Sequence, residues 1–376
     1  MNVQTASGAR AFAPYSLENL ISGAARLRPE AIAFADRTTI CPYGLIAGQV
    51  AALARLLTDL GLKPGDRLVL AGGAEVSLII ALAAMLRGGF EPALASLDLG
   101  TEDLANYARA LGAVALVGPT SYGDFKLAET YFAAAAAAPS IRLLATLGPG
   151  EIDGAADLGA TAVLRYAAAN PGDGLERGKP VPPPARIFTF DRRRGRPVAH
   201  EQTTLMAAGL DLVARAEIGR ATPIISTVPP TSFAGLVAGP FAALLSGVTL
   251  HLHGPFAAED FLKVRAHAAG AHLVIPAALA AEFAGASLLD GLASAVLVSR
   301  SPTAAEFAPP ALSAPCPLID LYALGETAAV AERRRGEAAT PPATEAHFVG
   351  FDDARVLTIE RADDHFRGAA VTSDRA

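Results

Sequence analysis

The chain has 376 residues, 52% of them hydrophobic and 18% charged, which is enough apolar material for two or three packed domains and too much for a disordered or fibrous chain. Thirty-one basic residues against 37 acidic ones give a net charge of -6, so no overall positive field draws in nucleic acid or anionic lipid. Two cysteines, Cys41 and Cys316, form no Cys-x-x-Cys pair and no His/Cys cluster at metal spacing, which argues against a disulfide framework or a zinc site and fits core thiols of a cytoplasmic protein.

No long apolar run follows Met1–Pro14, so no signal peptide is expected and the mature protein should begin near residue 1. The first helix-period segment, Leu45–Leu60, stops at Gly61, and Pro64 and Gly65 turn the chain into an apolar run. Strand-like runs at Arg67–Ala71, Pro92–Ser96 and Ala113–Val117 then alternate with helix-period segments at Val76–Leu86 and Thr101–Leu111, the signature of a parallel α/β sheet. Six alanines at Ala133–Ala138 are helix-prone and carry no chemistry. Between Asn170 and Arg186 the text NPGDGLERGKPVPPPAR can continue neither a helix nor a central strand and reads as a linker.

A second α/β series follows, with strands at Pro223–Thr227, Thr249–Leu252, Leu273–Ile275, Ala295–Ser299 and Leu318–Tyr322 and helices at Leu236–Leu245 and Phe261–Ala268. From Ala221 to Ala258 no residue carries a formal charge, a length that would cross a bilayer. Pro229, Pro230, Pro240, Gly235, Gly239 and Gly247 break it into short pieces, so buried strand, loop and core helix are expected and no membrane span. Beyond Pro341 and Pro342, the tail from Ala346 to Thr372 carries β-like pieces such as Arg355–Ile359. The resulting division is 1–180, 186–340 and 345–376.

The stretch DLGLKPGDRLVLAGGAEVSLIIALAAMLRGGFEPALASLDLGTEDLANYARALGAVALVG, followed in order by further landmarks down to VTSDR at the end, resembles the adenylate-forming superfamily of acyl-CoA synthetases, peptide-synthetase adenylation domains and luciferases. The resemblance covers nearly the whole chain and implies an α/β fold: two doubly wound α/β subdomains plus a small β-barrel-like C-terminal part, with the active site at their junction. It also implies that a carboxylate is joined to AMP using MgATP. The acyl group then passes to a thiol after a separate C-terminal domain rotates.

The family's phosphate loop, YTSGTTGxPKG followed by His, lets backbone N–H groups wrap phosphate while hydroxyls and a lysine add donors. The matching place reads FTFDRRRGRPVAH, Phe188–His200, where Thr189, Gly195, Pro197 and His200 are recognisable and the lysine is missing. Arg192, Arg193, Arg194 and Arg196 either hold phosphate in the lysine's place or form a solvated charged loop, the simpler reading for a charge run beside Asp191. In TVPPTSFAGL, Pro229, Ser232 and Gly235 match a segment that borders the acyl pocket in the family; Ser232, Phe233, Gly235 and, further on, Leu324 are the expected lining. A tight loop before a core helix explains the same residues equally well.

The family's Gly-Gly-Ala-Pro turn under adenine reads SRSP here, Ser299–Pro302, with Arg300 in a glycine's place. LYALGETAA resembles YGxTE: Tyr322 would pack by adenine, Glu326 would bind Mg²⁺ as a hard oxygen ligand, and Gly325 sits where the family has a phosphate-contacting threonine, with Thr327 on the other side of Glu326. Glu326 also reads as a carboxylate stabilised at a helix N-terminus. In FRGAAVTSDRA, Asp374 matches the aspartate that binds the ribose hydroxyls, and the C-terminal lid domain with its lysine is expected to be absent. None of Lys63, Lys126, Lys179 and Lys263 matches a family lysine.

The expected nucleotide site is therefore Thr189, Arg194, Gly195, Tyr322, Glu326, Thr327 and Asp374, with Glu326 as the metal ligand, Mg and ATP as cofactors if the protein is active, and no residue assigned a catalytic role. The expected ligand is a small carboxylate or acyl group. Two alternatives accompany this one: a non-catalytic acyl-binding or scaffold protein, and half of an enzyme completed by a partner protein that supplies the missing domain. Loss of several loop donors, each worth on the order of 10²-fold in rate, makes weak or lost adenylation the expectation for the chain alone.

Overall fold

Two parallel-rich sheets organise the computed structural model, which describes residues 16–148, 152–171, 185–300 and 311–339 and the backbone of three strands at Glu345–Val349, Ala354–Ala362 and His365–Ser373. The first sheet runs in the order Arg196–His200, Ile187–Asp191, Glu91–Ser96, Arg67–Gly72, Ala115–Pro119, Leu143–Leu147, Ala156–Asp157. All its neighbours are parallel except the hairpin Ile187–Asp191/Arg196–His200 at one edge. The second sheet has eight strands: Ala328–Arg333, Leu318–Leu324, Ser294–Arg300, His272–Pro276, Ile224–Ser226, Leu250–Leu252, Ile32–Ala35 and Ile40–Pro42. The chain thus trades segments between sheets, since residues 32–42 join the second and residues 187–200 the first.

The strand Arg67–Gly72 is buried along almost its whole length because helices cover both faces, so its sequence is a continuous apolar run instead of an alternation. The helix Thr101–Leu111 starts with Glu102 and Asp103, carries Arg109 in its last turn and ends on Gly112 in the left-handed region (φ 60°), each choice opposing the dipole or terminating the helix. The uncharged stretch after Ala221 folds into the strand Ile224–Ser226, a helix Phe233–Leu236, a π-helical segment Val237–Phe241 around Pro240, a helix Ala242–Ser246 and the strand Leu250–Leu252. The wider π turn accommodates a proline that has no N–H to give. Among the described residues no helix is long and apolar enough to cross a membrane.

The largest apolar cluster joins this helix to the helices Tyr43–Asp59, Val76–Arg87 and Gln202–Ala216 and to strands of both sheets. Helices Leu17–Leu27 and Gln202–Ala216, the strands at 32–42 and the edge hairpin are additions to the elements expected from periodicity. Of the Pro/Gly-rich stretch, residues 172–184 lie outside the described residues, as do Pro341 and Pro342. The three C-terminal strands pair antiparallel in one sheet. Both cysteines are buried and free.

Candidate functional site

Three local structures meet where the two sheets approach each other. The first is the edge hairpin, paired from Ile187↔His200 to Asp191↔Arg196, with a four-residue turn, Arg192–Gly195, in which Gly195 takes φ 59°. Thr189 and His200 lie diagonally across it, and the Thr189 hydroxyl is 2.8 Å from His200 Nε2 in a buried contact. The second is the hairpin Leu318–Leu324/Ala328–Arg333, closed by Gly325, Glu326 and Thr327. Gly325 and Glu326 are both left-handed (φ 54° and 57°), costly for a glutamate by about 1–2 kcal/mol. The Thr327 N–H and hydroxyl both donate to the Leu324 carbonyl, at 2.9 and 2.7 Å, and fix the turn. The third is the segment from Pro229 to Gly235, where Ser232 Oγ accepts the Gly235 N–H at 3.1 Å and starts the helix.

Glu326 ties them together. Its Oε2 accepts the Phe233 N–H at 2.7 Å, and the Thr189 side chain hydrogen-bonds the same carboxyl group. Burial pushes its pKa up, opposed by the Phe233 N–H, the charge of Arg300 and the Thr189 hydrogen bond, while the Asp191 charge adds to the rise. Glu326 therefore does act on a helix N-terminus, but from a hairpin turn and onto another element's first N–H. Burial drives the His200 pKa down to about 4, and its ring meets Phe233 edge-on at 5.0 Å. The neutral imidazole donates from Nε2 to Thr189, whose hydroxyl donates to Glu326, an assignment that satisfies all three groups.

Two hydroxyls beside this network have no partner among the described residues. Tyr107 Oη and Thr231 Oγ1 are buried without a hydrogen bond. Tyr107, on the helix Thr101–Leu111, leans on Phe190 with ring centroids 4.9 Å apart, and its hydroxyl pKa is raised well above normal by burial and then by the charge of Glu326. Such orphaned donors at a strained turn mark a place where a ligand or water belongs.

The arginine turn is held by the protein's own carboxylates. Arg192 donates to the Asp98 carboxylate and carbonyl, and Arg194 Nη1 lies 3.2 Å from Asp191 Oδ2. Burial alone would raise Asp98, but hydrogen bonds from Ser96 and Arg192 and the Arg192 charge outweigh it and hold the carboxyl below its usual range. Arg194 also reaches the second hairpin: a Cβ on Gly325 would stand 3.3 Å from its Nη1. The glycine where the family has threonine is matched by the arginine that fills its space.

The structure thus brings together Thr189, Arg194, Ser232, Phe233 and Glu326, with Gly195 shaping the turn and Thr327 turned toward Leu324. Leu324 is buried, and Tyr322 is fully enclosed beside Asp320, its hydroxyl raised by burial and by that carboxylate. Arg300 is exposed at the end of its strand; Ser301, Pro302 and Asp374 lie outside the described residues. Tyr107, Thr231, Asp98 and Asp191 are contributors that motif matching does not find. Among the described residues no three His, Cys, Asp or Glu side chains are grouped to hold a metal. Magnesium beside a phosphate needs only one or two protein carboxylates.

The His200 network has a pH signature. A pKa lowered from 6.5 to about 4 means that the unfolded chain binds the proton more readily, so this contribution to stability is complete above pH 6.5 and is lost as pH falls toward 4. The full shift corresponds to roughly 3 kcal/mol. Urea unfolding across that range should show a slope that His200→Asn removes; an unchanged slope would mean the ring is not held neutral.

No family model matches the chain. Enterobactin synthase component F of Escherichia coli (strain K12) is 38% identical over 88 residues, 23% of this chain and 7% of that protein, so the chain spans a small part of that relative. Among solved structures, the apo structure of Mycobacterium smegmatis MbtA superposes with a TM-score of 0.68 at 18% identity, covering 98% of this chain and 71% of that one. The anthranilate CoA ligase AuaEII in complex with anthranoyl-AMP gives 0.71 at 14% identity over 94% and 71%. A benzoate CoA ligase from Burkholderia xenovorans LB400 gives 0.69 at 14% over 95% and 72%. The fold of the chain is that of the N-terminal core of the adenylate-forming enzymes.

Proposed function

We propose that the chain binds a small carboxylate or acyl group beside Phe233 and Glu326, and that its adenylating chemistry is weak or lost in the chain alone. One observation carries this reading. Glu326, Thr189 and two buried hydroxyls without a partner among the described residues converge in a site-bearing fold, while Arg192 and Arg194 in the phosphate-loop position are paired to Asp98 and Asp191. The similar proteins named for anthranilate and benzoate CoA ligases point to an aryl or acyl acid as the substrate class.

If MgATP is bound, Glu326 is the residue to hold the metal, Thr189 and Tyr107 are hydroxyl donors to a phosphate oxygen, and Arg194 leaves Asp191 to meet its charge. Bound there, ATP would supply the α-phosphorus that a carboxylate attacks, giving an acyl-AMP and releasing pyrophosphate. The residues of this chain orient the acid, keep water from it and offset charge. A turn of bulky side chains cannot bring successive N–H groups around a phosphate as glycines do, and each lost donor costs on the order of 10²-fold in rate.

Carboxylate-dependent exchange of labelled pyrophosphate into ATP, run with a panel of aliphatic and aromatic acids, tests the chemistry, and thermal shift with the same acids tests binding. The expected result is a saturable rise in melting temperature with at least one acid and exchange near background. Rapid exchange would overturn the weakened chemistry, and no shift with any acid would overturn the binding. Glu326→Gln keeps an acceptor for the Phe233 N–H, so it should fold normally and lose any Mg-dependent protection by nucleotide. Protection equal to wild type would remove Glu326 as a metal ligand.

A further inference from the structure

The first sheet also has a topological switch point, built from residues other than those around Glu326. The chain lays the strand Glu91–Ser96 on one side of Arg67–Gly72 and then crosses to lay Ala115–Pro119 on the other, so strand order reverses between Arg67–Gly72 and Ala115–Pro119. In open α/β sheets the gap beyond the carboxyl ends of such a strand pair is where ligands bind. Here the two ends read Gly72-Gly73-Ala74-Glu75, running into the helix Val76–Arg87, and Gly118-Pro119.

The side chains there have more acceptors than donors. The Glu75 carboxyl is half-buried and receives no hydrogen bond from any described residue. Tyr131 Oη is buried without a partner among the described residues, and it stands where a Cβ on Gly118 would lie 2.6 Å away. Tyr122 Oη accepts the Ala74 N–H at 3.4 Å, its ring pressed against Gly73 and its hydroxyl against Gly254, just beyond the strand Leu250–Leu252. The charged neighbours are Asp36 and Arg37. Asp36 accepts the N–H groups of Val76, Thr38 and Thr39, and Arg37 is paired to Asp260. Burial and then the Asp36 charge push the Glu75 pKa up to about 7, and burial and then the Glu75 charge raise that of Tyr131. The local field is negative, two aromatic rings flank it, and no free donor answers the carboxyl group, a combination that suits a cation able to donate hydrogen bonds.

We propose that the crevice between Glu75 and Tyr131, at the carboxyl ends of the strands Arg67–Gly72 and Ala115–Pro119, binds a primary ammonium group. The ammonium donates to the Glu75 carboxylate and to Tyr131 Oη. Binding requires the ionised carboxylate, so affinity rises with pH through the Glu75 midpoint and a proton is released below it.

The test is thermal unfolding of the full chain in methylammonium chloride, against sodium chloride and tetramethylammonium chloride at equal ionic strength, above and below pH 7. The expected result is a saturable stabilisation by methylammonium alone, with a half-saturating concentration about tenfold lower on the alkaline side. Glu75→Gln should abolish it, and Tyr131→Phe, which removes only a hydroxyl, should raise the half-saturating concentration about tenfold. The proposal is overturned if methylammonium and sodium act alike at both pH values, or if Glu75→Gln responds as wild type does. Should Glu75→Gln fail to fold, an unchanged half-saturating concentration in Tyr131→Phe overturns it as well.

Discussion

Arg334→Met is expected to lower stability by about 3–5 kcal/mol, because it strands a buried charge. The Arg334 side chain is 2% exposed and Asp320 is 0% exposed, and they form two parallel hydrogen bonds of 2.8 Å, Nε to Oδ2 and Nη2 to Oδ1. Arg334 also donates to the Glu337 carbonyl at 3.0 Å. Without the guanidinium, the Asp320 carboxylate must either stay charged in the core or take up a proton. Asp320 lies on the strand that ends at the Gly325–Thr327 turn, so the same loss loosens the hairpin that presents Glu326. Guanidinium unfolding measures the cost. The double variant Asp320→Leu/Arg334→Met should recover most of it, since an apolar pair of similar volume removes the stranded charge. A single-variant cost under about 1 kcal/mol would show that water reaches the pair.

Gly235→Ala is the second. A Cβ there would stand 2.1 Å from the Pro229 carbonyl oxygen and 3.0 Å from its carbon, and a backbone obstacle cannot rotate away as a side chain can. Overpacking of this kind costs roughly 1–3 kcal/mol or more. The relief available is to move the start of the helix, which would draw the Phe233 N–H off Glu326 and lose acid binding along with stability. Gly48→Ala in the helix Tyr43–Asp59 is the control: no atom lies within 4 Å of its added Cβ, and alanine should gain about 1 kcal/mol. A Gly235→Ala protein that melts and binds acid as wild type does would show that Pro229 yields.

What could be read in advance divides by range of interaction. Strands of the first sheet were legible because burial on both faces leaves a plain apolar run, and the helix at 101–111 because its charges and Gly112 mark both ends. The matched motifs placed Thr189 and Glu326, and the structure brings both into one hydrogen-bonded network. Two contributions were not legible. A motif around Glu326 says nothing about the backbone it will bind, that of Phe233, which lies 93 residues away in sequence. Nor does a charge run disclose its counter-ions: Arg192 finds Asp98 only because the hairpin lies beside the strand Glu91–Ser96. Tyr107 carries no local signal at all, being one apolar-face residue of an ordinary amphipathic helix.

The exchange of segments between the sheets governs how this chain reaches its fold. Phe34 pairs with Leu250, and Phe188 with Ala93, so neither sheet can be completed from one half of the sequence. Loops that long must close before their contacts repay the entropy, which favours slow, cooperative folding over two independent steps. A polypeptide cut between residues 172 and 184 should therefore yield fragments that are each unstable when separate and that reconstitute when mixed, each supplying the strands that the other's sheet lacks.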